Sequence, residues 1–446
     1  MAATHFGWGR VARLGLVQAA LGAIVVLTTS TLNRVMVVEL ALPALLPGVL
    51  VALHYMVQIT RPRMGHGSDV GGRRTPWIIG GMGVLALGGT TAALATVWMA
   101  TRPVAGTALA VLGFVMIGLG VSASGTSLLA LLAKRVLPER RAGAATLVWL
   151  MMIMGFAITA GVAGKLLDPY TPERLLAVTA GVSVLAFLVT LIALAGVEGH
   201  AVPSARATED EPSSKEFRAA LREVWADQRA RRFAIFVFIS MLAYSAQDLI
   251  LEPFAGAVLG YTPGESTSLS GLQHGGVLAG MLMAAMAGRS WRGRRFGSLR
   301  SWTVGGCIAS ALAMAGLVAA GLVGQAWPFK PTVFLLGMAN GAFSIAAIGS
   351  MMQLAGDGGE RSAGVRMGLW GAAQAIAFGL GGLIGTGASD LARLVFSHPG
   401  AAYASVFALE AAMFAVAARI AAGSAAVRPE ANPPTRLAAG HPGTAP

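Results

Sequence analysis

The stretch Gly65-His66-Gly67-Ser68-Asp69-Val70-Gly71-Gly72-Arg73-Arg74 joins two apolar runs, 41–59 and 77–100. Each run is long enough to cross a bilayer as a helix. The glycines allow a compact turn, Asp69 offers a carboxylate to an arginine or to a helix N-terminus, and the two final arginines are typical of the cytoplasmic side. The stretch therefore predicts a short cytoplasmic connection between two transmembrane helices.

Three features of the first half of the chain return at a constant distance in the second half. Each feature lies 221 residues before its counterpart. The pairs are Gly72-Arg73-Arg74 with Gly293-Arg294-Arg295, Glu139-Arg140-Arg141-Ala142-Gly143 with Glu360-Arg361-Ser362-Ala363-Gly364, and Trp149 with Trp370. A repeat on this scale predicts two halves of one membrane domain, duplicated head to tail.

The composition excludes a soluble globular protein. Of the 446 residues, 55% are hydrophobic and 12% are charged, and the mean hydropathy is +0.68, far above the usual composition of soluble domains. The net charge of +13 suits nucleic-acid binding in principle. The charges are confined to short segments between apolar runs, however, which argues against a nucleic-acid partner. Cys307 is the single cysteine, so no intramolecular disulfide can form.

Twelve apolar runs are long enough to be transmembrane helices. The predicted spans are 11–38, 41–59, 77–100, 103–133, 143–164 and 174–197, followed by 233–259, 267–288, 302–324, 328–352, 367–389 and 400–422. The sequence thus predicts an all-α membrane protein with twelve transmembrane helices in two six-helix repeats. The predicted domains are an N-terminal half (1–197), a cytoplasmic linker (198–232), a C-terminal half (233–422) and a disordered tail (423–446).

The basic residues predict the orientation. With both termini on the cytoplasmic side, only six of the 33 Lys and Arg residues fall on the outer side. These six are Arg34, Arg102, Lys165, Arg174, Lys330 and Arg393. Because cytoplasmic loops carry the excess of basic residues, we expect both termini to be cytoplasmic.

The linker shows signs of a helix of its own. Ser213 and Glu216 fit a capping box, and apolar residues recur after it at helical spacing, opposite a basic face. These apolar residues are Phe217, Leu221, Val224 and Trp225. The pattern predicts an amphipathic helix on the inner membrane surface, although a plain linker between the halves explains the segment as well.

Several charged or polar residues lie inside or at the ends of the apolar runs. They are Arg34, Glu39, Gln247, Asp248 and Glu252, together with His54, His274, Glu410 and Arg419. Polar groups within a membrane are costly and therefore mark candidate sites. We find no phosphate-binding glycine loop, no spaced metal cluster and no nucleophile beside a base, so we expect a protein that is not an enzyme.

Three stretches carry a family resemblance. They are Thr31-Leu32-Asn33-Arg34-Val35-Met36-Val37-Val38-Glu39-Leu40, Arg61-Pro62-Arg63-Met64-Gly65-His66-Gly67-Ser68-Asp69 and Gln247-Asp248-Leu249-Ile250-Leu251-Glu252-Pro253-Phe254. With the six-plus-six pattern, they resemble the PucC/LhaA family, the bacteriochlorophyll-delivery branch of the major facilitator superfamily. The resemblance implies a major-facilitator-like fold, residence in the bacterial inner (intracytoplasmic) membrane and a role in assembling light-harvesting complexes.

The same resemblance gives roles to individual residues. Gly65, Asp69, Gly72, Arg73 and Arg74 correspond to the superfamily's cytoplasmic latch motif, whereas Ser290 stands where the aspartate would repeat. Bacteriochlorophyll is implied as a bound ligand, with His54 or His274 as candidate ligands of the chlorin Mg, although a hydrogen-bonded core histidine is the commoner case. The implied partners are light-harvesting polypeptides, pigment-synthesis or insertion machinery and membrane lipid.

The resemblance also predicts a specific contact. The first and seventh helices of the superfamily meet at the outer side, and the repeat places the counterpart of Arg34 at position 255. Glu252 lies about one turn from that position, so we expect an Arg34–Glu252 contact, or failing that Arg34–Asp248, in the outward-closed state. Glu39, five residues along the same helix, is the rival partner. The five residues Arg34, Glu39, Gln247, Asp248 and Glu252 would then form an intramembrane gate.

Two functions remain open from the sequence. The first is a factor that binds bacteriochlorophyll or nascent light-harvesting polypeptides. The second is a proton-coupled carrier of a small solute, which needs a titratable group within the membrane. The N-terminal half offers none inside its first, fourth and fifth spans, which favours the first function. A lipid scramblase for a prenylated tail is not separable from pigment handling by sequence.

Overall fold

A computed structural model describes residues 5–61, 64, 73–198, 222, 225–287, 297–357 and 360–423. Within these ranges the chain forms twelve long helices. They are α1 (Trp8–Glu39), α2 (Leu45–Thr60), α3 (Thr75–Met99), α4 (Pro103–Arg135), α5 (Pro138–Leu167), α6 (Pro172–Leu194), α7 (Gln228–Leu259), α8 (Pro263–Ala287), α9 (Leu299–Val323), α10 (Phe329–Asp357), α11 (Glu360–Val395) and α12 (Pro399–Gly423). Each predicted span coincides with one helix, so the prediction of an all-α membrane protein is confirmed.

Ten of these helices are long and apolar enough to cross a membrane. The two exceptions in the described ranges have different causes. The apolar helix α2 is shorter than the predicted span 41–59 because it begins only at Leu45. Helix α8 is long enough, but it carries a run of serines and threonines as well as Gln273 and His274.

The helices pack in the same pairs in both sets of six. In the first set, α1 contacts α5 and α6, α4 contacts α2 and α3, and α3 contacts α6. In the second set, α7 contacts α11 and α12, α10 contacts α8 and α9, and α9 contacts α12. This recurrence is what a duplicated chain would show. The duplication itself, and the domain limits drawn from it, stay predictions.

Glycines set how closely some helices approach. A Cβ added to Gly280 of α8 would lie 1.9 Å from the carbonyl oxygen of Met338 in α10. A Cβ added to Gly341 of α10 would lie 2.0 Å from the carbonyl oxygen of Val277 in α8. Backbone therefore meets backbone along this pair, which is how membrane helices gain packing energy without a hydrophobic driving force.

The two sets differ in how they use the repeated tryptophans. Trp370 in α11 is fully buried, donates through Nε1 to the carbonyl of Ala230 at 3.3 Å and packs edge-on against Phe233. Its counterpart Trp149 in α5 is 38% exposed. The two tryptophans, 221 positions apart, therefore differ in role: Trp370 packs in the core of its set, whereas Trp149 lies partly on the surface.

The two sets meet through α1 with α7, α2 with α11, and α5 with α8. Hydrogen bonds between the sets are concentrated toward the end where α1 finishes, which we call the Glu39 end. There Asp168 accepts from Thr262 at 3.1 Å, and Asp390 accepts from the backbone amides of Ala44 and Leu45 at 3.0 and 2.7 Å. The opposite end, where α3 begins, we call the Arg74 end.

Candidate functional site

A row of buried polar side chains on α1 faces α7 and α8. We call this row, Ser30, Thr31, Asn33 and Arg34, the polar seam. It lies where α1 changes winding, because Leu27–Thr31 and Val35–Glu39 are π turns on either side of Leu32–Arg34. A π turn holds an extra residue and is frequent at functional sites. The change in winding lets nearly consecutive polar residues be buried together.

Each seam residue bonds to the second set of helices. The Thr31 and Thr267 hydroxyls lie 3.0 Å apart, and the Asn33 amide donates to the Leu249 carbonyl at 2.6 Å. Ser30 donates to one carboxylate oxygen of Glu252. These bonds satisfy polar groups that would be costly to leave alone in the interior. The seam therefore ties α1 to α7 and α8.

Arg34 is 2% exposed and lies at the Glu39 end of the seam. Its guanidinium pairs with Glu39 and donates to the Tyr261 carbonyl at 2.6 Å. A Cβ added to Gly256 would lie 2.8 Å from Arg34 Nη2, so the guanidinium reaches α7 beside position 255. The expected contact with Glu252 or Asp248 is wrong in this structure. Arg34 pairs instead with Glu39, the rival acid. Glu252 interacts with Arg34 only electrostatically.

Asp248 and Glu252 lie one turn apart but have different surroundings. Glu252 is buried and accepts a hydrogen bond from Ser30. Asp248 is half-buried and accepts from the side-chain amides of Gln247 at 3.4 Å and Gln273 at 3.3 Å. Asp248 is also close enough to interact electrostatically with Tyr55 of α2, Tyr244 of α7 and Glu410 of α12. Tyr55 and Tyr244 both pack on Phe378 of α11. Side chains of both sets thus surround Asp248.

Several buried oxygens in this region have no hydrogen-bond partner among the described residues. They belong to Asn33 (Oδ1), Gln247 (Oε1), Glu252 (Oε2) and Glu410 (both carboxylate oxygens). Such groups are rare in native proteins unless a water, ion or ligand binds them. The interface between the two sets is therefore the strongest candidate site. Sequence reasoning had left Glu410 without a role.

The two interior histidines differ in their hydrogen bonds. His54 in α2 is 2% exposed, and its Nε2 accepts from the Gln58 amide at 3.0 Å. His274 in α8 donates from Nδ1 to the Ser270 carbonyl at 2.8 Å and packs edge-on against Phe156 of α5. No hydrogen bond to His274 Nε2 is found in the part of the chain that the structure describes. Only His274 therefore keeps a ring nitrogen with a lone pair available.

At the Arg74 end the structure shows part of the predicted latch. Gly65, Asp69 and Gly72 lie outside the described residues, as do Ser290 and most of the linker helix. Arg73 is exposed, and Arg74 is buried just before α3. The backbone amides of Arg74 and Thr75 donate to the Glu198 carboxylate at 2.7–2.9 Å, and the Thr75 hydroxyl donates at 2.7 Å. Glu198, which follows α6, thus caps the N-terminus of α3.

The Glu198 cap makes the stability pH-dependent. Burial raises the pKa of Glu198, but the hydrogen bonds from Arg74 and Thr75 and the charge of Arg73 outweigh burial and hold the pKa below its usual 4.5. A lowered pKa in the folded state stabilises the fold above the unfolded-state pKa, and this contribution is lost as the pH falls through the folded-state pKa.

We expect Glu198→Gln to lower the thermal midpoint at pH 7 and to flatten its fall below about pH 4.5. Glu139→Gln, at an exposed carboxylate in the first turn of α5, should change both much less. Parallel pH curves for Glu198→Gln and the parent would contradict the cap.

Comparison with known proteins decides the family. The family model described as "PUCC protein" matches residues 31–427. The chain is 53% identical over 436 residues to the "Bacteriochlorophyll synthase 44.5 kDa chain" of Rhodobacter capsulatus, covering 97% of this chain and 99% of that protein. The chain belongs to the PucC family. It is also 33% identical over 423 residues to "Protein PucC" of Cereibacter sphaeroides, covering 90% and 89% of the two chains.

Transporters are among the solved structures that this PucC-family chain resembles. The D-xylose-proton symporter matches with a TM-score of 0.68 and 14% identity, over 93% of this chain and 97% of that one. A bacterial homolog of the lysosomal transporter Spinster, inward-facing and unoccupied, matches with a TM-score of 0.61 and 15% identity, over 94% and 96%. At these identities the likeness shows the fold alone. The chain is a multi-pass membrane protein of the PucC family with a major-facilitator-like fold.

Proposed function

We propose that this chain binds or delivers bacteriochlorophyll in the bacterial inner membrane and assists the assembly of light-harvesting complexes. The match along almost its whole length to a relative named for bacteriochlorophyll synthesis carries the proposal. The chain acts without catalysis of its own, a proposal that its likeness to PucC proteins and its transporter-like fold support. Its partners are light-harvesting polypeptides and the pigment-synthesis or insertion machinery, and both termini face the cytoplasm.

His274 fits a pigment better than His54 does. A histidine that ligates a metal commonly donates its other ring N–H to a carbonyl, which fixes the tautomer and the ring orientation. The Nδ1 bond from His274 to Ser270 is of this kind, so Nε2 presents its lone pair. His54 does not fit, because Gln58 already occupies its Nε2 and the side chain is enclosed. Bacteriochlorophyll would supply a Mg ion with an open position for one imidazole nitrogen.

The pigment proposal predicts what copurifies with the protein. Protein purified from a phototrophic host in mild detergent should carry substoichiometric bacteriochlorophyll or a precursor, measured by its absorption spectrum. We expect His274→Leu to reduce the bound pigment several-fold and to shift the absorption of what remains. His54→Leu is the matched control and should retain the parent's pigment. Pigment-free protein from strongly pigmented membranes, in several detergents, would contradict the proposal.

A proton-coupled carrier is the second candidate function. The interior acids Asp248, Glu252 and Glu410 favour it, because they are titratable groups that helices of the second set carry inside the bundle. In the described part of the first set, by contrast, the acids lie at helix ends or in connections: Glu39, Glu139, Asp168, Glu173 and Glu198. A proton-coupled carrier should acidify weakly buffered vesicles when its solute is supplied on one side. The pigment function requires no such proton flux.

A further inference from the structure

Three aromatic rings lie in contact where the two sets of helices meet. Phe378 of α11 is the middle ring, and its centroid lies 5.7 Å from that of Tyr55 in α2 and 5.9 Å from that of Tyr244 in α7. All three residues are half-buried, so part of each remains accessible between the helices. We call Tyr55, Tyr244 and Phe378 the aromatic wall.

The carboxylate of Asp248 lies beside the aromatic wall. Asp248 follows Tyr244 by four residues on α7, which places the two side chains on one face of the helix. It also acts electrostatically on both tyrosines of the wall. Asp248 is half-buried itself, and the side-chain amide of Gln273 in α8 donates to it at 3.3 Å. This neutral donor orients the carboxylate and leaves its charge in place.

The charge of Asp248 has no cationic partner among the described residues. The side chains that act on it there are neutral amides, and its effect on Glu410 links it to a second acid. Arg61 does reach Tyr55 of the wall, but it is exposed and donates to Gln58. A carboxylate inside a membrane protein is costly without a counter-charge. A cation from outside the chain would therefore be bound favourably here.

The aromatic wall selects the kind of cation. The described lysines and arginines that lie over aromatic rings do so elsewhere: Arg10 over Phe6, Lys330 over Tyr261 and Arg393 over Tyr403. A ring face attracts a cation within about 6 Å of its centroid, and aromatic groups of this kind recognise quaternary ammonium ligands. Hard metal ions instead require several oxygen ligands, which an aromatic wall does not supply.

We propose that Asp248 and the aromatic wall bind a small organic cation through a quaternary ammonium group. The carboxylate supplies the counter-charge, and the ring faces contact the methyl groups of the ligand. Because Tyr55 belongs to the first set of helices and the other residues to the second, the bound cation connects the two sets. The site needs neither pigment ligation by His274 nor proton flux, so it goes beyond both functions considered above.

The test measures how the purified full-length chain binds choline, a small quaternary ammonium alcohol. The chain is produced in a host that makes no bacteriochlorophyll, and binding of radiolabelled choline is measured by equilibrium dialysis. The competitor is the neutral analogue of choline in which a carbon atom replaces the nitrogen, so that shape is kept and charge is lost. We expect about one choline per chain, and competition by the neutral analogue that is at least about tenfold weaker than by unlabelled choline.

Two variants test the two parts of the site. Asp248→Asn keeps the size of the side chain but removes the charge, and it should abolish the preference for choline over the neutral analogue. Phe378→Leu keeps an apolar side chain but removes the middle ring, and it should weaken choline binding by about three- to tenfold. The elution volume on size-exclusion chromatography shows whether each variant is folded.

Matched controls are available for both variants. Glu173→Gln removes an exposed acid from the first turn of α6, and Phe187→Leu removes a half-buried ring beside Gly83 of α3. Both should bind choline as the parent does. Three outcomes would overturn the proposal: no choline binding by the parent, equal competition by choline and its neutral analogue, or parent-like affinity in folded Asp248→Asn. The first two are decided on the parent chain alone, so the test does not depend on the folding of a variant.

Discussion

Replacing Gly280 with alanine should prevent α8 from packing on α10. The added Cβ would lie 1.9 Å from the Met338 carbonyl oxygen, and a helix backbone cannot move aside as a flexible side chain can. Overpacking of this kind typically costs about 1–3 kcal/mol or more. Intrinsic helix propensity predicts the opposite, since alanine stabilises a helix interior by about 1 kcal/mol relative to glycine. We expect a lower thermal midpoint and a smaller monodisperse fraction on size-exclusion chromatography.

Gly275→Ala, five residues earlier on the same helix, is the matched control. A Cβ there would meet nothing within 4 Å, so this variant should be as stable as the parent or slightly more stable. If Gly280→Ala matched Gly275→Ala in both measurements, backbone contact between α8 and α10 would not limit the fold. The comparison separates packing from propensity because both changes add one methyl group to the same helix.

Replacing Arg34 with methionine should have the second large effect. Removing one partner of a buried ion pair costs about 3–5 kcal/mol when a charge is left uncompensated. Glu39 is 34% exposed and can turn to water, but Glu252 and the Tyr261 carbonyl would lose the nearby cation. We expect a clearly lower unfolding midpoint in detergent for Arg34→Met and a smaller fall for Glu39→Gln, because Glu252 stays within electrostatic reach of Arg34.

A double variant makes the Arg34 experiment sharper. Arg34→Met combined with Glu252→Gln removes the cation together with the buried acid, so it should be more stable than Arg34→Met alone. A double variant that is less stable than the single one would show that Glu252 does not depend on Arg34. In that case the cost of losing Arg34 would come from Glu39 and Tyr261 only.

The helices could be predicted because each is a long apolar run, but the partner of Arg34 could not. In a uniform α-helix, residues five apart do not face each other, so Glu39 looked less suitable than an acid on another helix. The π turn at Val35–Glu39 changes this spacing and brings Glu39 to Arg34. Nothing in the local sequence pattern distinguishes a π turn from an α-helical one.

The histidines and Glu198 show a second limit of sequence reasoning. His54 and His274 both lie in apolar runs, so the sequence gives no reason to prefer either as a pigment ligand. Only their hydrogen bonds, with Gln58 and Ser270, distinguish the two. Glu198 lies at the predicted start of the linker, where a charged residue is expected to face water. Its role as the cap of α3 depends on a residue more than a hundred positions away, which periodicity cannot reveal.

The Asp390 contact makes the first turn of α2 sensitive to the distance between the two sets. The carboxylate that accepts from the Ala44 and Leu45 amides belongs to α11 rather than to the chain just before α2. If α2 separates from α11, this carboxylate moves away and the two amides lose their hydrogen-bond acceptor within the protein. The shortest of the twelve helices would then fray from its start, so loss of helix in α2 accompanies opening at the Glu39 end.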